Sequence, residues 1–163
     1  MPVSMWPKRW KSEYQTIIPK KELPGSENDC RNLACTIFFS KVMESFVLDS
    51  IRSEISLSNK QYGGIKGCGV NNLLVDMRNH ILTGLDEEES AVTLMAVDFS
   101  KAFNRMSHQH CLAALARKGC PTETIKMVYS FLQGRVMYGY EMSRPRGVNG
   151  GSPQGTKLGN LLF

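Results

Sequence analysis

Seven consecutive residues, Ala91-Val-Thr-Leu-Met-Ala-Val97, form a nearly uninterrupted apolar run between a block of four acids, Asp86 to Glu89, and a single carboxylate, Asp98. The run is short, contains β-branched residues and shows no polar alternation, which predicts a strand covered on both faces rather than a helix. The acid block before it reads as a solvated turn. A buried strand holds the residue at its end in a fixed place, and here that residue is Asp98. A carboxylate at the edge of a sheet is a common metal ligand, because the sheet fixes it and the edge exposes it. The same residue type also caps turns and helices, and on the strand pattern alone that is its more ordinary use.

The remaining chain mixes helix and strand. Between Ile37 and Ile55 the apolar positions Phe39, Val42, Met43, Phe46, Val47 and Ile51 recur every three or four residues, which predicts an amphipathic helix. The segment from Gln61 to Gly69 holds four glycines and is expected to bend sharply. A second helix is expected from about Asn71 to Gly84, with Leu74, Met77, Arg78 and Ile81 on related faces. A third is expected from Gln109 to Lys118, with Leu112, Leu115 and Ala116 inward, stopped by Gly119 and Pro121. Thr122 is expected to cap a fourth, whose apolar face is Ile125, Val128, Tyr129 and Leu132. Short strands are expected at Tyr14 to Ile18 and at Arg135 to Tyr140. Non-consecutive strands with helices between them define an α+β fold in which helices pack on one sheet.

At 163 residues, 42% hydrophobic and 21% charged, the chain is long enough to bury a core and is not of disordered composition. No apolar run approaches the roughly 20 residues that span a bilayer. Lys8, Arg9 and Lys11 lead into no apolar stretch, so no secretory signal is expected. The cysteines at 30, 35, 68, 111 and 120 are scattered without a C-x-x-C pair, which points to reduced thiols in an intracellular protein, cytoplasmic or nuclear. The net charge of +5 is unevenly spread: residues 1–100 carry a net −2 and residues 101–163 a net +7. An anionic partner is therefore expected at the C-terminal third, where Ser143 to Gly151 is a basic, glycine-rich connection.

Gly151-Ser-Pro-Gln-Gly-Thr-Lys-Leu-Gly159 is a glycine-rich turn leading into a helix, a form that offers backbone amides to anions but lacks the Gly-Lys-Ser/Thr of a P-loop. An ordinary loop has the same composition. His108 and His110 stand two apart and do not face each other on a helix, so both read as ordinary helix positions. His80 reads as structural, and Asp76 as a helix residue with no partnering pattern.

Together these segments resemble the reverse transcriptases, particularly the polymerases of non-LTR (LINE-like) retrotransposons, over nearly the whole chain and in the right order. Trp10-Lys11, Ile18-Pro-Lys20 and Asp29-Cys-Arg31-Asn-Leu resemble the family's fingers segment, and Ser40-Lys-Val-Met-Glu44 resembles the helix after it. Gln61-Tyr-Gly-Gly64 is similar to the family's Gln-Phe/Tyr-Gly-Phe stretch. Val97-Asp-Phe-Ser-Lys-Ala-Phe103 resembles the first catalytic motif. Gly151-Ser-Pro-Gln-Gly155, with Leu158-Gly159 and Leu161-Leu-Phe163, resembles the Pro-Gln-Gly motif. Two near-complete motifs with fingers elements upstream make the resemblance specific.

The resemblance implies the fingers and partial palm of a right-hand polymerase, an incomplete mixed or antiparallel sheet with packed helices. Residues 1–60 would be a fingers-like segment, and 61–163 the rest of the fingers and the first half of the palm, cut before the Tyr-x-Asp-Asp hairpin and the thumb. It implies RNA-directed DNA polymerisation, with an RNA template, a DNA primer, dNTP and magnesium (or manganese), and with no membrane and no obligate protein partner. Asp98 would be catalytic and ligate the metal, and Phe99 and Ser100 would face the triphosphate. Phe103 would be the steric gate against a ribose 2′-hydroxyl, and Gln154 and Gly155 would touch the incoming nucleotide and the template base. Lys20 and Arg31 would hold phosphates. Arg144, Arg146 and Lys157 would contact nucleic acid.

Asn104 departs from the pattern, standing where many relatives carry an aspartate. The sequence also contains no Asp-Asp pair and stops on Leu161-Leu162-Phe163. Two-metal transfer uses carboxylates from separate elements to hold ions roughly 4 Å apart. The expectation is therefore a fragment that is inactive alone. A catalytically dead RNA-binding remnant and a group II intron maturase-type polymerase fit the same motifs.

Overall fold

The computed structural model describes residues 5–86, 91–138, 146–148 and 150–163. They form two compact units, Met1–Ser56 with Lys101–Phe163, and Leu57–Ser100.

The first unit is built on a four-stranded sheet. Its strands are β1 (Ser12–Pro19), β2 (Cys30–Thr36), β3 (Arg135–Tyr138) and β4 (Arg146–Val148), in the order β2-β1-β3-β4. β1 runs antiparallel to β2, with Tyr14 opposite Cys35 and Ile18 opposite Arg31, and parallel to β3, with Glu13 opposite Met137. β1 ends at Pro19, and the Lys20 N–H beyond it bonds the Asp29 carbonyl at 2.8 Å. The connection to β2 is tied by Asp29, whose Oδ2 accepts the N–H groups of Gly25 and Ser26 at 3.0 Å while Oδ1 pairs with Lys21. β2 itself is not evident in the sequence, because Cys-Arg-Asn-Leu-Ala-Cys-Thr shows neither strong β propensity nor clean alternation. It exists through its full-length pairing with β1.

The helices of this unit are α1 (Phe38–Glu54), α3 (Ala102–Arg105), α4 (His108–Arg117), α5 (Thr122–Leu132) and α6 (Lys157–Leu162). Their shared core gathers Trp6, Val47, Leu48, Ile51, Leu115, Val128, Phe131, Leu132 and Leu158. Trp6 meets Phe131 edge-on at 4.9 Å, and its backbone N–H donates to the Ser130 hydroxyl at 2.8 Å. The sheet joins this core through an ion pair. Arg135 on β3 donates from Nε to Glu13 on β1 at 2.8 Å, and its guanidinium lies 4.7 Å from the Phe131 ring centre, with both charged side chains buried.

Helix α1 falls where its periodicity places it, and three of the six expected apolar positions turn inward, Val47 and Ile51 buried and Met43 half-buried. Ser40, Glu44, Val47, Leu48 and Ile51 are buried, whereas Phe39, Val42 and Phe46 of the expected stripe are exposed. The helix carries two apolar stripes, and spacing alone does not say which one meets a neighbour; Trp10 stacks on Phe39 from outside. At α5, Pro121 takes the cap position with extended ψ, so Thr122 is the first helical residue and makes no capping bond, contrary to expectation. Phe131 joins Val128 and Leu132 in the core while Tyr129 is exposed.

In the second unit, turns with positive φ at Gly64 and Gly67 lead to α2 (Val70–Leu85), which starts where the Asn72 side chain accepts the Gly69 N–H at 3.1 Å. α2 buries no residue completely, and Leu73, Leu74 and Val75 are exposed. The expected buried strand at 91–97 is overturned. The segment forms no ladder, and Leu94, Met95 and Val97 are 64%, 81% and 74% exposed. Composition can favour a strand, but burial needs neighbouring strands and covering layers, and no described residue pairs with this backbone. It packs closely at Gly84, where an added Cβ would come within 2.8 Å of Val92. Among the described residues no helix is long and apolar enough to cross a membrane. All five cysteines are free thiols, and burial pushes Cys111 up to about 11.

Candidate functional site

The Gly151–Gly159 segment is tied to its surroundings by main-chain and side-chain bonds. Gly151 N–H bonds the Met106 carbonyl at 3.1 Å, and Ser152 N–H bonds the Phe103 carbonyl at 2.8 Å. His108, the first residue of α4, lies 2.6 Å from the Gly151 carbonyl through Nε2, while its Nδ1 is 3.3 Å from the Gln133 amide nitrogen. The tautomer with its proton on Nε2 satisfies both contacts. β2 is an outer strand of the sheet, and its Ala34 N–H donates to the Gln154 carbonyl at 2.8 Å.

Two glycines make this packing feasible. Gly151 has φ +75, and a Cβ there would stand 2.8 Å from the Phe103 carbonyl oxygen. A Cβ on Gly159 would stand 2.5 Å from the Pro153 oxygen. The Thr156 hydroxyl closes the turn, donating to the Pro153 carbonyl at 2.9 Å and accepting the Gly159 N–H at 3.0 Å, as an N-cap does. Glu44 reaches across from α1, and its Oε2 accepts the Leu158 N–H at 3.2 Å. Burial pushes the Glu44 carboxyl up from its ordinary value, against the lowering effect of the Leu158 and Lys157 amides. Ser152, Pro153, Thr156 and Leu158 are buried, while Gln154 is half-buried and Gly155 exposed. The loop is thus held inside the fold and presents its Gln154-Gly155 tip to solvent.

Phe103 sits on α3 beside this loop, half-buried, with its ring 5.1 Å from that of Phe163. α3 begins at Lys101, which takes a left-handed conformation at φ 54 that side-chain-bearing residues rarely adopt. Lys157 is exposed, with Nζ 2.7 Å from the Ser45 hydroxyl. Arg31 is exposed on β2, two residues from Leu33, which an added Cβ at Gly155 would approach to 3.7 Å. Lys20 is exposed and donates to the Asn28 carbonyl at 2.8 Å. Arg146 lies on β4 opposite Met137, and Arg144 lies outside the described residues.

Asp98, Phe99 and Ser100 belong to the second unit. All three are exposed, and the Asp98 Oδ1 accepts the Phe99 N–H at 2.9 Å. A carboxylate in open backbone suits a hard cation, and magnesium takes one or two protein carboxylates together with phosphate oxygens. Among the described residues no group of three or more His, Cys, Asp or Glu side chains gathers that could by itself hold a metal ion.

Sequence reasoning passes over three residues. His108 carries a loop bond, although nothing in its local pattern distinguishes it. Glu44 is a polar residue on the buried face of α1, beside Val47, Leu48 and Ile51. Asp76 is partnered after all, accepting from the Tyr62 hydroxyl at 2.6 Å and pairing with Lys60 at 3.0 Å, while Lys60 Nζ also lies 3.3 Å from His80. These bonds hold the Asp76 carboxyl below its usual range, the Tyr62 hydroxyl first and Lys60 second.

The family model described as reverse transcriptase (RNA-dependent DNA polymerase) matches residues 18–163. The chain is 26% identical, over 99% of its own length and 18% of the relative's, to a protein named probable RNA-directed DNA polymerase from transposon BS of Drosophila melanogaster. It is 24% identical, over 96% of its length and 22% of the relative's, to the retrovirus-related Pol polyprotein from type-1 retrotransposable element R2 of Popillia japonica. The chain spans about a fifth of the length of these curated relatives. Both come from transposable elements, in keeping with the resemblance to non-LTR retrotransposon polymerases. The match covers both the segment around Asp98 and the tied Pro-Gln-Gly loop, and the chain belongs to the reverse transcriptase family.

Proposed function

We propose that this chain supplies the nucleotide-facing part of an RNA-directed DNA polymerase, its fingers and the first half of its palm, in an intracellular retroelement protein. The observation that carries the reading is the Pro-Gln-Gly loop, largely buried and bonded to β2, α1, α3 and α4, with its Gln154-Gly155 tip turned outward. A surface that must discriminate a base pair needs such a rigid backing, because small displacements at a reacting centre lower rate steeply.

In this reading Asp98 holds magnesium or manganese, with Phe99 and Ser100 next to it toward the triphosphate. The ion, when bound, neutralises charge on the transferring phosphoryl group. Arg31 and Lys20 contribute cations to phosphate oxygens, the guanidinium in a bidentate manner. Gln154 and Gly155 lie against the incoming nucleotide and the template base. The Phe103 ring excludes a ribose 2′-hydroxyl, and it is positioned to do so because its own carbonyl is bonded to Ser152 of the loop. Arg144, Arg146 and Lys157 meet the RNA template and DNA primer. The 163 residues alone do not extend a primer, since they bring one of the carboxylates that two-metal transfer requires.

Primer extension by the complete product of the reading frame that encodes these residues tests the reading. On an RNA template it adds deoxynucleotides and discriminates against ribonucleotides, and Phe103→Val relaxes that discrimination. Equal use of both sugars by the unaltered protein overturns the reading. A second reading, a catalytically silent RNA-binding remnant, draws on the net +7 of residues 101–163. It predicts no extension, with RNA affinity that falls steeply with salt.

A further inference from the structure

Glu44 is fully buried, and burial of a carboxylate is costly unless its oxygens are satisfied. Its Oε2 accepts the Leu158 N–H, whereas Oε1 has no hydrogen-bond partner among the described residues. One turn earlier on the same face of α1, the Ser40 hydroxyl is likewise buried and unbonded, and so is the Ser152 hydroxyl within the loop. A glutamine at position 44 would accept the same amide without an ionisable group, and an apolar side chain would fill the same space. A carboxylate here lowers stability while strengthening one contact, because a bond from an amide to an ionised acceptor is stronger than one to a neutral acceptor. That contact fixes the first turn of α6, whose cap, Thr156, directly follows the Gln154-Gly155 tip. On its other side the tip is held by the Ala34 N–H. Leu158 is itself fully buried, and Gly159 leaves the turn no room to shift toward Pro153.

We propose that Glu44 is a positioning residue: through the Leu158 amide it sets the place of the Gln154-Gly155 tip, and so the affinity of the site for the incoming deoxynucleotide. The role in nucleotide affinity rests on the polymerase reading. The setting of the tip does not.

Two measurements separate these claims. Amide hydrogen exchange on the 163-residue chain reports the tip directly, because the Ala34 amide is bonded to Gln154 and lies on a different element from Glu44. In Glu44→Met, exchange at both Leu158 and Ala34 rises about tenfold, the loss expected for one hydrogen bond to a charged acceptor, while amides of the β1–β3 pairing are unchanged. In Glu44→Gln, which keeps an acceptor oxygen, both stay within about threefold of the unaltered chain. Faster exchange at Leu158 with no change at Ala34 overturns the positioning role, as does a uniform rise across the sheet in both variants. Steady-state primer extension by the complete reading-frame product then reads the nucleotide. Glu44→Met raises KM for dNTP about tenfold with kcat little changed, and Glu44→Gln restores KM. An equal fall in kcat for both variants with KM unmoved overturns the link to nucleotide affinity. Absence of extension in the unaltered product counts against the polymerase reading, and the exchange result still decides whether Glu44 sets the tip.

Discussion

The two motifs that identify the family are held in opposite ways. The Gly151–Gly159 loop is bonded through main chain or side chain to β2, α1, α3 and α4, and its glycines allow contacts that a Cβ would forbid. The 91–100 segment, which carries Asp98, forms no ladder and exposes Leu94, Met95 and Val97. A loop can be fixed by the elements immediately around it, whereas an extended segment with no strand beside it has no ladder to hold it. Sequence similarity is therefore no measure of how far a motif is locally supported.

The largest effect expected from this contrast lies in the supported unit. Arg135→Met leaves Glu13 buried and unpaired and should cost about 3–5 kcal/mol, while adding Glu13→Leu should recover most of the loss. Thermal melts of the single and double variants check this, and a single variant within about 1 °C of the parent would break the contrast. Gly151→Ala comes next. It places a Cβ against the Phe103 carbonyl in a left-handed conformation and should destabilise by roughly 3 kcal/mol, about 6–12 °C in Tm for a chain of this size.

A smaller effect is expected from pH. The folded-state pKa of Glu44 is raised by burial, so its contribution is fully present below the ordinary carboxylate value and is lost as pH rises through the raised one. Glu44→Gln should therefore gain on the parent in melts taken from about pH 4 to about pH 7, with Arg135 and Lys157 as the charges that moderate the gain. A gap that narrows with rising pH would contradict the assignment. The smallest effect belongs to the unsupported segment, where Leu94→Ser should change stability by no more than about 0.5 kcal/mol. A loss comparable to that of Gly151→Ala would show the segment to be as well held as the loop.

The same contrast governs how much of the molecule is legible in its sequence. Local signals place β1, α1, α2, α4 and α5 close to their true bounds, because periodicity and breakers act within a few residues. The phase of α1 is not legible, since Phe39, Val42 and Phe46 form as regular a stripe as the residues that are buried. β2 is hidden because pairing, not propensity, makes it a strand. At the site, motif order points to Phe103, Gln154 and Gly155. His108 and Glu44 escape because their partners lie 43 and 114 residues away, and no local pattern records such a contact.

The central claim is that Asp98 serves chemistry rather than folding, and primer extension by the complete reading-frame product carrying Asp98→Asn tests it most directly. The substitution should lower magnesium-dependent deoxynucleotide addition on RNA by at least about a hundredfold, with Tm unchanged within about 2 °C. Extension at the unaltered rate, or a loss of activity that only tracks a loss of folded protein, would contradict the account.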